Sequence, residues 1–318
     1  MAANAAAPRG PDLPLKKRRS DRVRMIYRYR WFYLMMLPGL VYFAIYHYAP
    51  MAGLAIAFQD YSLLRGISGS TWVGFDNFRF IFERPDFARL MSNTLIISLY
   101  RIIFGMLPDV LLALLLNEVR TLWFKKAVQT ITYGPYFLSW VIIYGVAYAF
   151  LSNSGLVNYV IERFGGQPVG FLTSSEYFRS ILVVTDIWKS TGYGAIIYLA
   201  ALAAINPQLY EAAVVDGAGR FRQMWHITLP GIRDVFVLLL ILRIGNILEA
   251  GFDQVYIFLN SRVLSVGDIL DTWVFRMGLE QLQFSISAAM GFFKSFIGLI
   301  LVLLANQIAK KLGGNGLW

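Results

Sequence analysis

The sequence contains no cysteine and only two histidines, His47 and His226, which stand far apart. Without thiols there is no disulfide framework and no thiolate metal or redox centre, and two isolated imidazoles do not make a metal site within the chain. Charge is scarce as well: 15% of the 318 residues are charged, against 57% hydrophobic, and the mean hydropathy is +0.55. A soluble domain does not carry that composition, so the chain reads as a membrane protein. No G-x-x-x-x-G-K-[ST] run occurs, and the chain therefore has no phosphate-cradling loop of its own. It also lacks a clustered Asp-x-Asp pair and a general-base histidine at a membrane face, which argues against an enzyme acting on lipid-linked sugars.

What is present is a series of long apolar runs. A bilayer core about 30 Å thick takes about 20 helical residues to cross, and six stretches qualify: 31–49, 93–116, 128–151, 180–203, 235–258 and 286–305. The segments between them, such as SNSGLVNYVIERFGGQPVG, are too rich in Gly, Pro, Asn and Ser to continue a spanning helix. The pattern predicts an all-α membrane protein with six spanning helices. Pro38, Pro108 and Pro135 fall within spans and are expected to kink them. Lysine and arginine set the orientation: 17 lie on the side of the N-terminus, the second, fourth and last connections, against 8 on the other. Basic loops stay inside, so both termini are expected to be cytoplasmic. The run LPLKKRRSDRVRMIYRYR supplies most of this bias as an uncleaved signal anchor, and topogenic charge explains the net +10 without nucleic acid. This gives a basic segment, 1–30, followed by one membrane domain, 31–318.

The fourth connection is unusual. EAAVVDGAGRFRQMWHITLP, residues 211–230, is far more than a hairpin needs. EAAVVDGA starts well for a helix, and Gly217 and Gly219 supply positions where the chain can reverse. FRQMWHITLP then resumes with Phe221, Trp225 and Leu229 at i, i+4 and i+8, one apolar face, and Pro230 is expected to end the helix before the next span. An apolar stripe beside charges on the water side of a membrane suits either docking into a groove of a soluble partner or lying in the headgroup region.

Glu211, Ala212 and Ala213, followed by Asp216, Gly217 and Ala218 and closed by Leu229 and Pro230, resemble the EAA loop of ATP-binding-cassette (ABC) importer permeases. The stretches HYAPMAGLAIAFQDYS and GISGSTWVGFDNFRFIF, with the Asn93-Thr94 pair, are similar to the first-permease type of carbohydrate importers, and most similar to permeases for acidic oligosaccharides such as aldouronates and alginate. The resemblance implies a type I ABC importer transmembrane domain with loop 206–233 as its coupling element. It further implies a second homologous permease, two ABC ATPase subunits that bind ATP and Mg, and an extracytoplasmic substrate-binding protein, with no cofactor held by this chain. On that reading Glu211 pairs with a basic residue of the ATPase, Gly217 permits the turn, Ala212, Ala213 and Ala218 allow close approach, and Phe221, Trp225 and Leu229 fill the apolar side.

Ionisable residues within spans are costly and point to a pathway. In the fourth span Asp186, Lys189, Ser190 and Tyr193 fall on one helical face, and in the fifth Arg243, Asn246 and Ala250 repeat the spacing, with Glu249 and Asp253 beside them. Such a mixture of donors and acceptors suits sugar hydroxyls, and Lys189 and Arg243 suit a carboxylate. The other reading is structural, with Asp186 paired to Lys189 and Arg243 to Glu249 or Asp253. Arg101, Asp109 and Lys294 carry less weight as pathway groups, being equally suited to contact with the second permease or to snorkelling. An ion-gradient transporter would also tolerate these charges; the loop argues against it. Trp72, Asp76, Arg79 and Arg84, in the external segment after the first span, suit by position either contact with a binding protein or a solvated cap.

Overall fold

The computed structural model describes residue 25 and residues 27–311; the KKRR run of the basic segment lies outside them. Packing divides the chain into Met1–Leu54 and Ala55–Trp318. In the first unit helix α1, Arg30–Phe43, passes through Pro38 without ending and continues into a π turn, Ala44–Tyr48. Its side chains are apolar on every face and none is buried, the pattern of a helix whose solvent is lipid.

The second unit is built on α2 (Phe87–Glu118), α3 (Leu122–Tyr133), α4 (Trp140–Leu151), α5 (Ser175–Ala203), α6 (Pro207–Val215), α7 (Leu229–Gly245), α8 (Phe252–Phe258) and α9 (Phe284–Lys311). The most extensive pairing joins α2 to α5. Arg101 bonds Asp186, and Asp109 packs against Gly194. These contacts advance together along both helices, so α2 and α5 run parallel. Ala113, Ala195, Tyr198, Leu202 and Ile232 fill the seam between α2, α5 and α7. A second core closes the other end around Trp273, Met290 and Phe78.

Four helices among the described residues are long and apolar enough to span, or five if α5 and α6, bent by 68°, count as one. Two of the six expected spans are not continuous helices. Stretch 128–151 breaks at Gly134–Phe137, where Pro135 interrupts the helical ladder and Ser139 starts α4 by accepting the Ile142 N–H. Stretch 235–258 breaks after Gly245 and restarts beyond Gly251, whose φ of +82° belongs to the left-handed region. Pro108, by contrast, sits inside α2 without ending it. The bend after α5 has a local cause: the Asn206 side chain caps the Gln208 N–H at 3.0 Å and Pro207 occupies the first turn of α6, so the chain restarts in a new direction.

Among the described residues the fold departs from all-α in one place, a two-residue antiparallel ribbon pairing Gln59 with Trp72 and Asp60 with Thr71. Trp72 stacks on Phe58 at 5.6 Å, and the short helix Asp76–Glu83 follows, with Arg79 facing Glu83 at 3.8 Å. Arg84 grips Asp86 through two bonds of 2.9 and 3.2 Å and lies 5.6 Å from the Trp273 ring. The hydrogen bond from Arg84 holds the Asp86 carboxyl below the usual carboxylate range. Asn93, Arg179 and Thr94 tie the segment between α8 and α9 to the helix bundle. Asn93 donates to the carbonyls of Ser265 and Asp268, Arg179 donates to Asn93 at 2.7 Å, and Thr94 accepts the Leu270 N–H.

Candidate functional site

Between α2, α5, α7, α9 and the segment that precedes α9 lies a cavity of about 910 Å³. Its polar wall contains Ser98, Arg101, Asp186, Ser190, Arg243, Asn246, Glu249, Asp271 and Lys294. Five of these are pathway residues expected from sequence: Asp186, Ser190, Arg243, Asn246 and Glu249. The other four, Lys189, Tyr193, Ala250 and Asp253, do not line it. Ala250 is fully buried, and Asp253 lies in the first turn of α8. Tyr193 stacks face to face on Tyr136, with centroids 4.0 Å apart and planes 7° from parallel.

Lys189 has turned to a different task. Its ammonium donates to the carbonyl of Tyr136 at 2.8 Å and to that of Leu138, and it sits within 5.6 Å of the Tyr136 and Trp140 rings. A helix broken inside a bilayer leaves carbonyls that lipid cannot satisfy. Lys189 satisfies two of them at the Pro135 break.

The ion pairs are also not those the spacing suggested. Asp186 pairs with Arg101 at 2.5 Å, not with Lys189; Arg243 pairs with Asp109 at 3.0 Å, not with Glu249 or Asp253; Lys294 bonds Asp271. A pair between residues one turn apart leaves its charges on a single helix face, whereas these pairs tie separate elements together. Arg101 also donates to the Ala250 carbonyl at 2.7 Å, on the strand of backbone left open by the α7–α8 break. Three glycines make room for these groups. A Cβ at Gly251 would lie 1.7 Å from an Arg101 Nη, one at Gly194 would lie 2.4 Å from the Asp109 carboxylate, and one at Gly105 would lie 3.1 Å from an Arg243 Nη. Arg101 and Asp109 are thus paired within the chain, and Arg101 and Lys294 line the cavity.

The loop at the other end of α5 and α7 is exposed. After α6, Gly217 turns the chain at φ +75°, with open space where a side chain would stand. The constraint on Gly217 is therefore its backbone angle rather than room for a Cβ. A short helix, Arg220–Gln223, runs into a π turn, Met224–Thr228, and on into α7 without a stop. Pro230 does not end a helix, contrary to expectation; it occupies the first turn of α7, where its missing N–H costs little. The π turn, closed by Leu229 N–H on the Met224 carbonyl, adds a residue to the ladder and rotates the side chains beyond it. Phe221 (84% exposed) and Trp225 (70%) project from the surface, while Leu229 turns inward against the α2, α5 and α7 core. The expected three-residue stripe is a two-residue one. Glu211, Ala212, Asp216 and Gly217 are exposed, with Ala213 and Ala218 half-buried. Tyr210 and Thr228 join their hydroxyls at 3.0 Å across the base of the loop, and Arg220 reaches Glu118 at the end of α2 at 3.7 Å.

Residues 95–314 match the family model for the binding-protein-dependent transport system inner membrane component. The polygalacturonan/rhamnogalacturonan transport system permease protein YteP of Bacillus subtilis is 49% identical over 99% of both chains. Protein LplB of the same organism is 48% identical over 92% of both. Among solved structures, a chain of a bacterial ABC transporter involved in the import of the acidic polysaccharide alginate superimposes with a TM-score of 0.85 at 39% identity, covering 92% of this chain and 99% of its own. A chain of a bacterial alginate ABC transporter in complex with an alginate pentasaccharide-bound periplasmic protein matches with the same figures.

Proposed function

The chain belongs to the binding-protein-dependent transport system inner membrane components, with the type I ABC permease fold, and we propose that it is one of two permease subunits of an ATP-driven importer of acidic oligosaccharides. The observation that carries this reading is the direct continuity of a polar cavity with an exposed aromatic loop. α5 and α7 wall the cavity, and the same two helices lead into and out of the loop, so movement of the loop is transmitted to the cavity wall without an intermediate element. The relatives supply the chemistry of the cargo: one transports polygalacturonan and rhamnogalacturonan, another imports alginate, and both cargoes carry carboxylates.

On this proposal loop 206–233 and both termini face the cytoplasm, and the basic segment 1–30 fixes that orientation. Six segments cross the membrane, the third and fifth of them broken. Phe221 and Trp225 enter a cleft of an ABC ATPase subunit, Glu211 pairs with a basic residue beside it, and Asp216, Gly217 and Ala218 shape the turn. ATP and Mg are held by that subunit, and this chain hydrolyses nothing. A second homologous permease completes the cavity. A periplasmic binding protein delivers the sugar to the face formed by the Gln59–Trp72 ribbon and the segment before α9. Support for that last partner is the binding-protein complex known for the alginate importer.

The experiment is co-purification. Phe221 and Trp225 are exposed and touch little of this chain, so Phe221→Ser with Trp225→Ser should leave the permease folded while ATPase subunit recovery falls at least tenfold, in keeping with the dominance of aromatic anchors at interfaces. Full recovery of an active complex would refute the docking role.

A further inference from the structure

We propose that Arg101 and Arg243 form a paired-guanidinium site that reads the carboxylates of the cargo inside the cavity, each arginine held by an aspartate behind it and seated on a glycine. This inference rests on the acidic-oligosaccharide reading above and assigns the residues that carry it out.

Position comes first. Arg101 and Gly105 are one turn apart on α2, and an Nη of Arg243, reaching across from α7, lies where a Cβ of Gly105 would almost touch it. Arg101 reaches from its place on α2 to Gly251, at the α7–α8 break, so the two guanidiniums are held at separate points by different glycines. Both line the same cavity. Each is fixed from behind. Arg101 is held by Asp186 and the Ala250 carbonyl, and Arg243 by Asp109, whose side chain is 3% exposed.

Donor supply comes next. Arginine presents several N–H groups in a rigid fork. The bonds to Asp186 and Ala250 use one hydrogen on each Nη of Arg101, and the bond to Asp109 uses one on Arg243. The remaining N–H groups have no acceptor among the described residues. A carboxylate is the ligand that takes such donors in pairs. A neutral hydroxyl can also accept from the fork, but it brings no charge, and charge-assisted bonds are about twice as strong as neutral ones. Ser98, one turn from Arg101 on the same face of α2, adds a buried hydroxyl that has no partner among the described residues.

The third cavity cation does not join them. Lys294 is bonded to Asp271, and Glu249 stands in the same stretch of wall, lining the smaller adjoining pocket with both. That end of the cavity carries two carboxylates for one ammonium and repels an anion. The arginine pair is where a uronate carboxylate finds donors and where the neighbouring sugar's carboxylate finds a second set.

The experiment uses the assembled importer in proteoliposomes, with trigalacturonate and its trimethyl ester as probes, the ester replacing each carboxylate with a neutral methyl ester on the same sugar backbone. The wild type should take up the acid faster than the ester. Arg101→Gln and Arg243→Gln should each lower the acid-to-ester ratio about tenfold. Gly105→Ala, which keeps both arginines and favours the helix but crowds the Arg243 Nη, should lower the ratio as well, so that a failure of either glutamine variant to assemble does not end the test. Acid and ester uptake falling in equal proportion in all three variants would reduce the arginines to helix fasteners, and an unchanged ratio would remove them from recognition. If the wild type transports neither compound, the cargo reading itself fails, a result distinct from either.

Discussion

Arg243 Nη2 donates to Asp109 Oδ2 at 3.0 Å across 134 residues of sequence, joining α7, which follows loop 206–233, to the middle of α2. The carboxylate end is buried and the guanidinium end reaches the cavity. Removing one partner strands the other. Asp109→Ala should destabilise the permease by about 3 kcal/mol, the usual effect of leaving one member of a buried pair unpaired, whereas Asp109→Ala with Arg243→Met should lose much less than the two single changes added together. Thermal denaturation of the four proteins in detergent closes the cycle. Additive losses would mean that the two side chains do not act as a pair.

Gly217 lets the position of strain be separated from the position of contact. Its φ of +75° disfavours any side chain, but nothing occupies the space a Cβ would enter. Asparagine, which tolerates the left-handed region, should retain most substrate-stimulated ATPase activity of the reconstituted complex. Alanine should lose part through a backbone penalty of about 1–2 kcal/mol, and valine more. Equal activity for valine and glycine would show that the turn does not hold this conformation when docked.

Lys189 provides a control in the same helix as Asp186. Lys189→Met removes the donor to the Tyr136 and Leu138 carbonyls, with an expected loss of about 2 kcal/mol in stability from unsatisfied backbone at the Pro135 break. Its acid-to-ester uptake ratio should match the wild type, because the ammonium faces the break. A selective fall in acid uptake would place Lys189 back in the pathway.

Much of this arrangement can be read in the sequence. The loop stands out because Glu, Asp, two glycines and two aromatics crowd a connection that apolar runs bracket on both sides, and five of nine expected pathway residues line the cavity, Asp186 and Ser190 because α5 puts i and i+4 on one face, Asn246 and Glu249 from the turn that follows α7. What resists reading is pairing between helices. Ser98, Arg101, Gly105 and Asp109 also lie on one face of α2, a stripe visible in the spacing, but a single sequence does not say that Asp186 and Arg243 will reach it from two other elements. Lys189 left its expected role for a similar reason. The demand it answers, bare carbonyls beside Pro135, arises fifty residues earlier and is felt only once α5 packs there. Leu229 failed on phase: one extra residue in a π turn rotates everything beyond it, and no propensity marks that insertion.

If this chain is the passive membrane pathway of an ATP-driven importer, the direct test is uptake of trigalacturonate into proteoliposomes containing the permease pair, the ATPase subunits and the binding protein. Uptake should require internal ATP and the binding protein, vanish when the ATPase subunits are left out, and persist when ionophores abolish every ion gradient. Uptake that continues without ATP and collapses with an ion gradient would contradict that role.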